Sequence, residues 1–237
     1  LVARPFIEKE PITARIIPDK CTGCTLCVKV CPYTAITMVV PEGETRGKAV
    51  INTGSCMACG TCTAECNKDA ISTPYFEDDQ IYAQIRAALE DRPEEKCLVF
   101  ACNWCSYAGA DQAGIEKLQY PTVGRVIRTM CSGRIRGDFI YDAFEKGAGA
   151  VLVTGCHIND CHYLTANHHA ERRFALWSKR LVHQGIAPER IQLQWISASE
   201  GKEFAAKLRE MDGVVRRHCE SLKKNGEKDG RTQGARA

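Results

Sequence analysis

The sequence predicts an α+β domain followed by a small α/β domain built on a four-stranded parallel sheet. Two observations carry this. Residues 21–66 hold a doubled cysteine pattern set among short strand-like and helical segments. From Lys96 onward, apolar strand-like runs alternate with helical stretches, the signature of βαβ units. With 237 residues, 44% hydrophobic and 26% charged, the chain has an ordinary globular composition and room for two small domains.

In the first half, residues 1–20 form an extended lead-in, because Pro5, Pro11 and Pro18 forbid a continuous helix. Ala14 to Ile17 reads as its strand. Then comes CTGCTLCVKVCP (Cys21 to Pro32) and, after a spacer, CMACGTCTAEC (Cys56 to Cys66). Each half has the spacing C-x2-C-x2-C-x3-C. Such runs bind [4Fe–4S] clusters, with the fourth cysteine going to the other cluster of the pair. Three thiolates two residues apart, on a loop with Gly23, Ala58 and Gly60, can wrap three corners of a cubane. Cluster one is therefore expected on Cys21, Cys24, Cys27 and Cys66, and cluster two on Cys56, Cys59, Cys62 and Cys31. Zinc knuckles or disulfides are the alternatives, and a doubled eight-cysteine pattern speaks against both. Each cysteine set leads into a short strand (PYTAITMVV and KDAISTPY), and KAVINTG (Lys48 to Gly54) opens the second half. The stretch resembles a bacterial-type two-cluster ferredoxin. Asn67 follows Cys66 where that family usually has proline, which leaves the turn there open.

The next stretch reads as a helix over residues 77–90, with Ile81, Ile85 and Leu89 on one apolar face. In the second half, four strands are expected: CLVFAC (Cys97 to Cys102), TVGRVIRTMC (Thr122 to Cys131), GAVLVTGC (Gly149 to Cys156) and RIQLQWIS (Arg190 to Ser197). Helices are expected near 137–146, 164–183 and 201–222. The organisation is thus a two-cluster domain at 1–76, a helical linker at 77–95, an α/β domain at 96–222 and a disordered basic tail at 223–237, a tail with almost no apolar residues.

A second cysteine constellation follows the strands. Cys102 and Cys105 come after the first, Cys131 after the second, Cys156 and Cys161 after the third. All five lie beyond carboxyl ends, where open parallel sheets bind ligands at the switch point of strand order. A [2Fe–2S] cluster or zinc would take four of them. Cys102, Cys105, Cys156 and Cys161 are the first choice, with Cys131 as the fifth. Cys97 and Cys219 lie elsewhere and read as packed thiols.

FACNWCSYAGADQAG, RVIRTMCSGRI and GCHINDCHYLTANHHAERR resemble the delta subunit of methyl-viologen-reducing hydrogenase. Residues 13–75, with the helix after them, resemble the carboxyl-terminal part of the A subunit of heterodisulfide reductase. Fusions of the two occur, as in the related B subunit of the quinone-interacting membrane-bound oxidoreductase. The alternation of strand and helix predicts a small flavodoxin-like sheet, and the resemblance implies a [2Fe–2S] cluster. It also implies electron transfer between a hydrogenase or formate dehydrogenase-type partner and a heterodisulfide-reductase-like flavoprotein. A flavin domain usually precedes such a ferredoxin. Here no G-x-G-x-x-G fingerprint is present, so no flavin site is expected in this chain, which is either a small subunit or lacks an upstream portion.

Other features have plain structural readings beside their functional ones. His157, His162, His168 and His169 are expected to cap helices or orient ligands rather than bind metal. Arg125, Arg128, Arg134, Arg136, Arg172 and Arg173 offer a positive field or simple surface charge. Trp104, between two cysteines, is placed to shield a cluster. Cys102 and Cys105 as a thioredoxin-like dithiol, or zinc at the second site of a scaffold, are the competing functions. The net charge of +3 and a basic carboxyl end, with no nucleic-acid motif, give no case for nucleic acid. No apolar run is long enough for a membrane span. Fifteen cysteines, most of them at metal-ligand spacing, point to a reducing, cytoplasmic setting.

Overall fold

The computed structural model describes residues 12–234; the first part of the proline-rich lead-in lies outside them. The first domain is built from two antiparallel pairs and two short helices. Strand β1 (Arg15–Ile16) pairs with β4 (Ile71–Ser72), and β2 (Ile36–Val39) pairs with β3 (Lys48–Ile51). Helix α1 (Leu26–Val30) follows the first three cysteines and α2 (Thr61–Glu65) follows the second three. Ala14, Ile36, Ala49, Ala70 and Ile71 form the core with Cys27, Cys62 and Cys66. These are small residues, so the cysteines themselves fill much of the interior.

The second domain is a four-stranded parallel sheet in the order β6-β5-β7-β8. The strands are β5 (Cys97–Cys102), β6 (Gly124–Thr129), β7 (Ala150–Gly155) and β8 (Ile191–Trp195). Every residue of β5 and β7 is buried, as expected of strands covered on both faces. At the edge, β6 alternates toward its end between buried Ile127 and Thr129 and exposed Val126 and Arg128. Helices α3 (Asp78–Ala88), α5 (Gly137–Glu145) and α6 (Ala166–His183) cover one face. There Ile81, Ile85, Phe139, Ile140 and Leu181 pack on Leu98, Phe100, Val151 and Val153. Helices α4 (Ser106–Ile115) and α7 (Gly201–Gly234) cover the other. There Ala113, Phe204, Leu208 and Met211 meet Cys97, Val99, Ala150 and Leu152. Alternate residues of β5 thus serve opposite layers.

Three elements depart from the expectation. The stretch at 77–95 is no free spacer: α3 is a working part of the layer that covers the sheet, because Ile81 and Ile85 are fully buried against it. Helix α4 was not foreseen. Its sequence, SYAGADQAGI, lacks an apolar stripe and carries two glycines. One of these has a packing reason, since a Cβ on Gly109 would lie 2.7 Å from the Ser197 carbonyl oxygen. The third departure is α7, which runs on to Gly234 through the stretch expected to be disordered. Extending an existing helix needs no new nucleus.

Candidate iron–sulfur centres

The two cysteine loops of the first domain fold alike. Gly23 and Ala58, two residues after the leading cysteines, adopt φ of 74° and 55°, and Thr25 and Gly60 adopt 65° and 76°. These left-handed residues turn the backbone so that consecutive thiols face inward. Cys21, Cys24, Cys27 and Cys66 line one hollow. Cys31, Cys56, Cys59 and Cys62 line a second. In each hollow three cysteines come from one loop and the fourth from the other. The walls are otherwise nearly apolar, with Leu26, Met38 and Ile71 in the first and Tyr33, Ile36 and Ile51 in the second. Backbone N–H groups of Ala49 and Ala70 donate to Cys21 and Cys66 Sγ at 3.4 and 3.3 Å, and that of Ala35 to Cys31 Sγ at 3.3 Å. Such bonds favour a negatively charged sulfur. Burial alone works the other way, raising the thiol pKa of Cys27, Cys59 and Cys62. An iron atom that binds the thiolate resolves that conflict. The donor sets therefore fit iron–sulfur clusters.

At the carboxyl edge of the sheet, five more thiols converge. Cys102 ends β5 and Cys105 caps α4. Cys131 caps the short turn Ser132–Arg134, Cys156 follows β7, and Cys161 lies in the loop before α6. Cys156 Sγ is 3.8 Å from Cys102 Sγ and 2.7 Å from Cys105 Sγ. Cys131 meets both Cys102 and Cys161, and Cys161 also meets Cys156. The five form one connected group at the point where strand order reverses between β5 and β7. Hydrogen bonds from Cys105, Cys131 and Cys156 hold the Cys102 thiol well below its ordinary pKa. Cys131 and Cys156 do the same for Cys161, to about 3. Cys105 is pushed up to about 12, first by its bond to Cys102. Cys131 and Cys156 are also raised, first by Cys102. Thiols packed this closely cannot all ionise together unless a cation lies among them, and a bound metal would supply one.

The side chains singled out around this group take distinct places. Trp104 Nε1 donates to the Tyr163 hydroxyl at 2.7 Å, and the indole stacks on His162 with centroids 4.0 Å apart. Of these rings, Tyr163 packs in one buried cluster with Cys131 and Cys161. His157 pairs with Glu200 at 2.7 Å. Its imidazole and, more strongly, the Ser197 backbone N–H hold the Glu200 carboxyl below its ordinary range. His169 is lowered by burial and by the neighbouring Arg173. Arg128 lies between the Phe76 and Tyr107 rings and donates to Asn103. Arg125 bonds the Thr122 carbonyl, away from the thiols.

Arg134, Arg136 and Arg173 instead form a seam with the first domain. Arg134 is fully buried and donates to the Phe76 carbonyl at 3.1 and 2.8 Å and to Asp78. Arg136 bonds Asp69, Asp78 and Asp138, and Arg173 bonds Glu65 and the Gly133 carbonyl. Behind these ion pairs, Cys59 of the second hollow packs in one buried cluster with Phe76, Met130, Cys131, Tyr163 and Ala166, joined by Tyr33 and Cys161. Burial pushes the Tyr33 phenol up to about 12, with Cys59 and Cys161 adding to it. The second hollow and the five-thiol group thus share a wall. Sequence reasoning missed Tyr33, Phe76, Met130 and Tyr163, which carry no spacing signal.

Cysteine-lined hollows in one domain and convergent thiols in the next define an iron–sulfur electron-transfer protein. Comparison with known proteins narrows the class. Residues 97–217 match the family model "Methyl-viologen-reducing hydrogenase, delta subunit", and residues 20–70 match the "4Fe-4S dicluster domain". The D iron-sulfur subunit of the F420-non-reducing hydrogenase of Archaeoglobus profundus is 47% identical over 129 residues, 54% of this chain and 94% of that protein. The A subunit of the Ferredoxin:CoB-CoM heterodisulfide reductase of Methanosarcina mazei is 42% identical over 205 residues, 86% of this chain. The chain matches 25% of that relative's length. The chain belongs to the methyl-viologen-reducing hydrogenase delta-subunit family, here joined to a 4Fe–4S cluster-binding domain.

Proposed function

We propose that this chain relays electrons through two [4Fe–4S] clusters and one [2Fe–2S] cluster. Cys21, Cys24, Cys27 and Cys66 would hold the first, and Cys31, Cys56, Cys59 and Cys62 the second. Four of Cys102, Cys105, Cys131, Cys156 and Cys161 would hold the third. When bound, such clusters supply one-electron transfer at potentials set by their surroundings. The chain's own residues supply that setting: backbone N–H groups on sulfur, apolar walls, and Tyr163 packed with Cys131 and Cys161. The observation that carries this reading is the shared wall, in which Cys59 packs with Cys131 and Cys161.

The strand order, 2-1-3-4 when counted within the second domain, supports a flavodoxin-like sheet with its site at the switch point. The two relatives' names, a hydrogenase subunit and a heterodisulfide reductase subunit, support a hydrogenase-type partner and a heterodisulfide-reductase-type partner; a formate dehydrogenase-type donor and a flavin in the second partner are part of the same proposal. Such a complex would work in the reducing cytoplasm, where fifteen free thiols persist. Among the described residues no helix is long and apolar enough to cross a membrane.

Low-temperature EPR of the anaerobically reduced protein tests the three-centre reading. The wild type should show [4Fe–4S] signals together with a [2Fe–2S] signal. A double variant, Cys102→Ala with Cys156→Ala, should lose the [2Fe–2S] signal and keep the others. An unchanged spectrum in the double variant would sink the assignment.

A further inference from the structure

We propose that Arg134 is a positioning residue that raises the reduction potential of the centre at Cys31, Cys56, Cys59 and Cys62, acting across the domain seam. The inference rests on the cluster reading above. Arg134 belongs to the second domain, yet its stem lies on the cysteine loop of the first. A Cβ built on Gly60, which sits between Cys59 and Cys62 and lines the second hollow, would be 2.6 Å from Arg134 Cδ and 3.1 Å from Cβ and Cγ. Glycine at position 60 is thus what admits the arginine. The side chain is fully buried, and its Nη1 has no hydrogen-bond partner. Guanidinium stays charged at any working pH, and a buried unpartnered N–H is costly to keep. A residue with only a structural task has no need to leave one buried N–H unpaired beside a redox loop.

Arg134 pairs with Asp78, while Arg136 is also met by Asp69 and Asp138 and Arg173 is met by Glu65. Asp78 is shared between Arg134 and Arg136, so it neutralises neither fully. Field lines in a water-poor interior are weakly screened. Reduction adds a negative charge to a cluster, and a nearby cation stabilises the reduced form. The second domain thereby tunes a centre whose ligands all lie in the first.

The test is a spectroelectrochemical titration of the fully loaded protein, following the [4Fe–4S] signals of Arg134→Met, Arg134→Lys and Asp78→Asn. Arg134→Met should lower the midpoint potential of one [4Fe–4S] centre and leave the other two centres in place. Asp78→Asn should raise the same midpoint, because the cation loses its counter-charge. Arg134→Lys should sit close to wild type. Mere loosening of the seam would admit water and move Arg134→Met and Asp78→Asn in the same direction. A common direction, or no shift in either, overturns the proposal. Should Arg134→Met fail to load its clusters, Asp78→Asn decides alone: an upward shift supports the proposal and an unchanged midpoint refutes it. Loss of a centre from the wild-type spectrum would instead count against the cluster reading itself.

Discussion

Cys97 shows how one residue type divides by position. It is fully buried at the start of β5, away from the five thiols, and burial pushes its thiol up to about 12. A thiol that ionises near 9 when unfolded and near 12 when folded favours the folded state while it stays protonated. That contribution is complete below pH 9 and is lost as pH rises from about 9 to about 12, by roughly 1.4 kcal/mol per unit. Urea denaturation across this range should show a falling stability, and Cys97→Ala should flatten the decline. A slope identical in the variant would show that Cys97 is not its source. The sequence already marked Cys97 as apart, because it opens a strand where the other five follow strand ends. It could not mark Tyr33 or Tyr163, since a packed tyrosine has no spacing rule to betray it.

Among the elements, the contact between α4 and α7 is the tightest constraint on the second layer. A Cβ on Gly201 would lie 2.6 Å from the Ala113 backbone nitrogen, and one on Gly109 would lie 2.7 Å from the Ser197 carbonyl. Neither neighbour can rotate aside. Gly201→Ala should therefore overpack the contact and cost about 1–3 kcal/mol, read as earlier loss of helical ellipticity on heating. An unchanged thermal midpoint would mean the two helices have slack. The same contact explains why α4 escaped the sequence reading. Its glycines lower helix propensity for the sake of a close approach visible only when residues 109 and 197 stand together. By contrast α3, α5 and α7 carry apolar stripes, and the stripes turn out to face the sheet.

Two domains meet across a charged seam. Cysteine spacing made both hollows legible, because ligand sets are local and repeated. Strand order made the five-thiol group legible, because carboxyl ends of parallel strands share an edge. The seam was not legible in the same way. Arg134 and Arg173 stood out as part of a basic patch near the second cysteine group, but their partners Asp78 and Glu65 are 56 and 108 residues away. Only the docked structure brings them together, and with them Cys59 beside Cys131 and Cys161. That adjacency is the basis of the proposed path between the two sites.

The central claim is three clusters in one chain, and metal content tests it most directly. Iron and acid-labile sulfide analysis of anaerobically prepared protein should give ~10 iron per chain, from two [4Fe–4S] and one [2Fe–2S]. A value of ~8, with either one bound zinc or reactive thiols at Cys102 and Cys105, would contradict the account.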